Sequence, residues 1–340
     1  MLYHLFQALK DFDIPGGGLA GYLTFRSLMA ALTGLLMSLF VGKKIIRTIQ
    51  RHQIGEEIRN LGLEGQLQKK GTPTMGGIII ILSTLTGVLL WEDLTNIYTI
   101  LLCITILWLG FLGFMDDYIK MKKTKDGMKP ILKLIGQAAL GLTVGLTLYL
   151  SPDAVMRENV SVKHIVTVHE KTASDDIYAS AYEVNDNKPQ SKVVETVTMK
   201  CDAVKSTKTT LPFIKNHNLD YAGWFRWLGD YAQAAGWIFF VLITTFVIMA
   251  VSNGANLNDG MDGMCAGNSA IMCIALGLLA YFSSHLEYAS YFNIMYIPGS
   301  QELVVFIAAF VGALIGFLWY NSFPAQVFMG DTGSLCLGGI

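Results

Sequence analysis

Residues 97–118 read IYTILLCITILWLGFLGFMDDY, an uncharged run from Ile97 to Met115 that ends on the pair Asp116-Asp117. A helix crossing a bilayer needs about 20 mainly apolar residues, and this run supplies them. A carboxylate deep in hydrocarbon costs about 2.5–3.5 kcal/mol on insertion scales, so two adjacent ones at the end of such a helix need cations or an aqueous face. The stretch therefore fixes a fold class, membrane helices, and raises a chemical question about what those acids are paired with.

Outward from it the same pattern repeats. Apolar runs fall at approximately 22–42, 74–92, 97–115, 131–150, 234–252, 264–283, 302–320 and 331 to the end. The 340 residues are 52% hydrophobic and only 15% charged, against roughly 25% charged in soluble domains. The mean hydropathy is +0.45. The expectation is an all-α polytopic membrane protein in three parts. Residues 1–150 hold the first four spans, 151–230 a polar segment outside the membrane, and 231–340 the remaining spans. Alternation at Val160, Val162, Val166 and Val168, and β-branched residues from Val193 to Val197, predict a small β-rich insertion in the middle part.

Lysine and arginine orient the chain. The loop after the first span carries Lys43, Lys44, Arg47, Arg51, Arg59, Lys69 and Lys70. The loop after the third carries Lys120, Lys122, Lys123, Lys125, Lys129 and Lys133. Both are expected to be cytoplasmic, which puts the N-terminus and residues 151–230 outside.

Four polar clusters interrupt the apolar chain. They are Lys69 to Gly77 entering the second span, Asp116-Asp117-Tyr118 with Lys120 after the third, Asn253 to Gly263 after the fifth, and Asn321 to Asp331 between the last two. Taken singly, each has an ordinary explanation: a solvated loop, an Asn/Asp/Gly turn, a basic anchor. The lysine rule nevertheless puts all four on one face. Asn256, Asp259 and Asp262 fall three apart, so a helical turn aligns them. Carboxylates gathered there suit a divalent cation, and Mg²⁺ prefers carboxylates together with substrate phosphates.

Other chemistries find no support. No basic stripe with interleaved aromatics suggests nucleic acid. Gly16 to Gly21 matches G-x-G-x-x-G but follows no strand. The acids around Gly260 are out of phase for an EF-hand. The histidines form no ligand-spaced pair on one helix face. Of the five cysteines only Cys201 lies in a polar stretch, so no disulfide framework is expected. No basic start with a short apolar core marks a cleavable signal peptide.

At the runs Lys69-Lys70-Gly71-Thr72-Pro73-Thr74-Met75-Gly76-Gly77 and Pro324-Ala325-Gln326-Val327-Phe328-Met329-Gly330-Asp331 the chain resembles the phospho-N-acetylmuramoyl-pentapeptide-transferase family. That family is a branch of the polyprenyl-phosphate N-acetylhexosamine-1-phosphate transferase superfamily, which the Asp116-Asp117 pair alone would mark. The resemblance implies a ten-helix fold in the bacterial inner membrane with a cytoplasmic cleft. It further implies transfer from UDP-N-acetylmuramoyl-pentapeptide to undecaprenyl phosphate with Mg²⁺, giving lipid I and UMP, and a homodimer. By resemblance Asp331 is the metal ligand. Asp116 is the base or phosphate-positioning residue with Asp117 beside it, Asn321 a polar site residue, and Lys120 and Lys133 face phosphates. Lys69, Thr74, Asn253, Asn256, Asp259, Gly260, Met261 and Asp262 are substrate-binding, and Phe328 stacks on the uracil.

The family pattern departs at residues 151–230, longer here than a usual exterior hairpin, and at Ile340. The family continues beyond that point through two helices and a histidine-bearing loop. The 340-residue sequence is accordingly expected to be a fragment with little or no turnover. Two other functions remain as competitors: a sibling transferase using UDP-N-acetylglucosamine, and a secondary transporter, whose site would lie nearer the membrane midplane.

Overall fold

The computed structural model describes residues 2–10, 17–52, 71–122, 127–152, 154, 205–210 and 218–340. Arg59, Lys69, Lys70, Lys123, Lys125, Cys201 and the valines at 160–168 and 193–197 lie outside these residues. The elements are α1 (Leu2–Lys10), α2 (Leu23–His52), α3 (Gly77–Trp91), α4 (Ile97–Lys122), α5 (Pro130–Leu150), strands β1 (Lys208–Thr210) and β2 (Asn218–Asp220), and α6 (Tyr221–Trp224). Then follow α7 (Ala232–Asn258), α8 (Met264–Ser283), α9 (Leu286–Tyr291), α10 (Gln301–Asn321) and α11 (Gly330–Gly339). Among the described residues six helices, including α2, α4, α5, α8 and α10, are long and apolar enough to cross a membrane, the sixth running from Arg226 to Asn258. The chain is thus an all-α polytopic membrane protein.

Helix α10 is the centre of the bundle. Phe306, Phe310, Leu314 and Phe317, spaced three or four apart on it, are fully buried. It packs on α2, α8 and α3. In lipid there is no hydrophobic drive between helices, so close approach of small residues holds them together. A Cβ on Gly34 of α2 would collide with the Ala309 carbonyl oxygen, and one on Gly312 of α10 with that of Ala31. Helix α11 lies against α4, α7 and α3, and α5 against α7.

Three sequence expectations need correction. Helix α4 runs on to Lys122, so Asp116 and Asp117 sit within its last turns and not in a loop. Lys120 pairs with Asp116 one turn earlier and supports that continuation. Helix α2 runs ten residues past the expected end at 42, to His52. Helix α3 starts only at Gly77, because Met75 has φ +71°, a left-handed conformation a helix cannot absorb. Within the middle segment the described strands are the antiparallel pair β1–β2, with Thr209 opposite Leu219. At the end of the segment 151–230, expected to be β-rich, Tyr221–Trp224 is helical and a further helical stretch, Arg226–Tyr231, begins. Trp224, Trp227 and Tyr231 are exposed there, as in the aromatic belts of membrane interfaces.

Candidate active site

All four polar clusters meet at one end of the bundle, and the fourth touches each of the others. Met75, Gly76 and Gly77 are buried before α3 begins, so their backbone needs partners inside the protein. The 328–329 segment provides them. Phe328 N–H donates to Pro73 O (2.8 Å), Gly76 N–H to Phe328 O (2.9 Å) and Gly77 N–H to Met329 O (3.0 Å). The third cluster joins through Asp262, whose Oδ2 accepts from Ala325 N–H at 3.2 Å, and through Gly263 N–H, which donates to Asn321 Oδ1 at 3.0 Å. Asn321 also donates to Val327 O at 2.9 Å and is buried, so both ends of its amide hold loop backbone.

The second cluster engages the start of α11. Asp117 Oδ1 accepts from Asp331 N–H (3.1 Å), and its Oδ2 accepts from Thr332 N–H (2.9 Å) and Thr332 Oγ1–H (2.6 Å). A helix start exposes unpaired N–H groups and a partial positive charge, and a carboxylate satisfies both. Asp117 thus caps α11 from α4. The cap requires close contact: a Cβ on Gly113 would overlap the Asp331 carbonyl. Gly330, with φ +72°, would bring a Cβ within 2.6 Å of Asp117 Oδ2. The cap seats Asp331 opposite Asp116.

Asp116 is fully buried. Its Oδ1 accepts from Met128 N–H at 2.6 Å. Lys120 and Lys133 each place Nζ 2.8 Å from its Oδ2. The same ammonium groups reach Asp331, Lys120 at 3.0 Å to Oδ1 and Lys133 at 2.5 Å to Oδ2. Asp116 Oδ2 thus has both ammonium groups as its partners. One oxygen from each of Asp116, Asp117 and Asp331 falls within 4.8 Å of the others, close enough for one metal ion. An all-carboxylate donor set suits a hard cation. Asp117 is already committed to α11, which leaves Asp116 and Asp331 with capacity to spare.

Asp259, just past the end of α7, adds a further negative group. Burial first, then the charges of Asp331 and Asp117, push its carboxyl up to about 7.

Sequence reasoning missed the polar residues behind this basin. Gln137, fully buried on α5, donates to Ser252 Oγ at 3.2 Å and accepts from Asn253 Nδ2 at 2.8 Å. Ser252 donates to Leu335 O, and Asn256 Nδ2 to Ser334 Oγ at 3.1 Å. This network ties α5, α7 and α11 together. A lone glutamine in an apolar span was the available signal. Of the sequence-selected residues, Thr74 and Phe328 are half-buried beside the 73–77 pairing, while Gly260 and Met261 are exposed on the turn before α8. Lys69 lies outside the described residues.

Aspartates bridged by lysines thus gather at one end of a helical membrane bundle, and the comparisons give the class of protein as a membrane-bound glycosyl transferase. Residues 197–340 match Glycosyl transferase family 4, and residues 69–81 match Phospho-N-acetylmuramoyl-pentapeptide-transferase signature 1. Curated phospho-N-acetylmuramoyl-pentapeptide-transferases align along the whole chain. The one from Parabacteroides distasonis is 54% identical and that from Phocaeicola vulgatus 56%, with the chain covering 75% of each. The one from Flavobacterium psychrophilum is 53% identical, with 78% covered. The chain belongs to the phospho-N-acetylmuramoyl-pentapeptide-transferase family.

Proposed function

We propose that the protein transfers phospho-N-acetylmuramoyl-pentapeptide from its UDP-linked form to undecaprenyl phosphate in the bacterial inner membrane, releasing UMP on the cytoplasmic side. The observation that carries this reading is the joint grip of Lys120 and Lys133 on Asp116 and Asp331. Two anionic phosphates must be brought together here, and phosphoryl transfer asks a protein mainly for alignment and charge neutralisation. An oxygen of the lipid phosphate attacks the phosphorus that bears the sugar. A new P–O bond forms, the bond to UMP breaks, and the leaving phosphate takes the electron pair. Asp116 receives or steers the proton of the attacking phosphate. The lysines turn from the carboxylates to the phosphates and screen their repulsion.

Asp331 with Asp116 would hold Mg²⁺, which when bound supplies charge neutralisation for the diphosphate. Asp117 orients Asp331 through the α11 cap. With both of its oxygens occupied it is a poor nucleophile, so direct attack is favoured over an aspartyl-phosphate route. Phe328, Thr74, Asn256 and Asp262 take the nucleoside, and Lys69 joins them by family resemblance.

UMP release by the protein expressed from its whole reading frame is the test, with the UDP-linked muramoyl-pentapeptide and UDP-N-acetylglucosamine as alternative donors. Mg²⁺-dependent release from the first alone supports the reading. Release from the second alone replaces it with the sibling reaction.

A further inference from the structure

Away from the aspartates lies a second polar cavity, of about 370 Å³, between the end of α2, residues 71–73 and the 322–329 loop. Lys43, Arg47 and Gln50 line it from α2, Thr72 and Gln326 face them, and Tyr320 floors it. Among the described residues no acidic side chain lines it. Among the described residues neither Lys43 nor Arg47 has an acidic partner, whereas Arg26, Lys120 and Lys133 are all paired. The cavity walls are held in place. Tyr320 donates to Leu39 O at 2.6 Å, and Gln326 N–H donates to Tyr320 O at 2.8 Å.

The surface leading to the cavity indicates the ligand. On α2 the row Leu28, Leu32, Leu36 and Phe40, four residues apart, is exposed and apolar. It spans about 18 Å along the axis at 1.5 Å per residue, comparable to a lipid acyl chain. The next position in the row is Lys44, flanked by Lys43 and Arg47. An acyl track thus leads to two cations that have no acidic partner among the described residues, with amide and hydroxyl groups beside them. Basic pockets between membrane helices on the cytoplasmic side bind acidic headgroups.

We propose that this cavity binds the phosphate headgroup of an anionic phospholipid of the cytoplasmic leaflet, with Lys43 and Arg47 on the phosphate and Gln50 and Gln326 on the headgroup. The leaflet follows from the lysine distribution and is independent of the transferase reading.

The test is native mass spectrometry of the purified protein titrated with phosphatidylglycerol or phosphatidylcholine. The wild type is expected to retain phosphatidylglycerol preferentially. Lys43→Gln with Arg47→Gln lowers that preference on the order of thirtyfold, at about 1 kcal/mol per basic residue. Gln326→Glu, which charges the opposite wall without touching α2, does the same. Lys44→Gln, outside the cavity lining, leaves it within about twofold. Equal retention of the two lipids by the wild type overturns the proposal, as does wild-type preference in both cavity variants. Displacement of phosphatidylglycerol by inorganic phosphate or by the UDP-linked donor at comparable concentration also overturns it, and assigns the cavity to a soluble anion. UMP release is not a readout here, so failure of this proposal leaves the transferase reading untouched.

Discussion

Helix α4 connects two buried ionic clusters that solve the same problem in opposite ways. Near its start Thr99, and near its end Asp116, lie seventeen residues apart, about 25 Å along the helix. At the Thr99 end, Arg26 donates to both oxygens of Glu302, at 2.7 and 2.8 Å, and Asp93 N–H donates to the same carboxylate at 3.1 Å. The Arg26 guanidinium also lies 4.6 Å from the centre of the Tyr3 ring. One cation meets one carboxylate in a fork, through both terminal nitrogens of the guanidinium. At the Asp116 end, Asp116 and Asp331 share two lysines, Asp117 beside them caps α11, and Asp259 lies close enough to feel their charge. The first cluster pairs cation and carboxylate one to one and fastens α2 to α10. The second holds more carboxylates than cations, the condition of a site built to receive a further cation and its phosphates.

Breaking a buried pair by removing one partner costs about 3–5 kcal/mol, so Glu302→Gln should lower the thermal midpoint strongly. Arg26→Met with Glu302→Leu should recover most of that loss, since well-packed apolar replacements are often neutral. Midpoints of the two variants measured in one detergent check this; equal losses would mean the pair does more than fasten helices. At the other end the effect falls on rate. Asp331→Asn and Asp116→Asn should each cut UMP release by on the order of 10²–10³, as for loss of one preorganised electrostatic group, with the midpoint little changed.

Asp117→Asn should be milder in rate, about 10–100-fold, as for a group that orients a ligand. It should also destabilise by about 1 kcal/mol through the weakened α11 cap. A rate loss as deep as that of Asp331→Asn, with no loss of stability, would move Asp117 from positioning to chemistry.

The smallest effect concerns pH. Glu92 is buried between the ends of α3 and α4, with Thr99 Oγ1–H donating to its Oε1 at 2.6 Å. Burial pushes its carboxyl up to about 8. The Thr99 bond and Arg26 oppose the shift, while Glu302 and Asp93 add to it. From the usual 4.5 up to about 8 the folded state holds a proton that the unfolded chain has lost. Stability therefore falls as pH rises through that window. Glu92→Gln should flatten this dependence in midpoints taken from pH 5 to 8; an unchanged slope would assign it to other groups.

Much of this architecture is legible in the sequence. The apolar runs mark the spans because hydropathy and length are strong signals in membrane proteins. The four clusters are visible because Asp, Asn and Lys are rare against such a background. Sequence did not show that Asp117 points at a helix start, since the cap needs Gly113 and Gly330 to admit α11 within contact distance. Nor did it reveal Gln137, whose partners Ser252 and Asn253 lie more than a hundred residues away. The late start of α3 was hidden for a similar reason. Met75 takes a left-handed conformation because the backbone of Phe328 and Met329 is there to pair with Gly76 and Gly77. The Arg26–Glu302 clasp, 276 positions apart in the chain, carried no local signal at all.

The aspartate basin, and not the paired cluster at the other end, is expected to hold a divalent cation. Mn²⁺ titration followed by electron paramagnetic resonance tests it directly. One bound ion per chain in the wild type and in Glu302→Gln, lost in both Asp331→Asn and Asp116→Asn, is the predicted result. Undiminished Mn²⁺ binding in the two aspartate variants would contradict it.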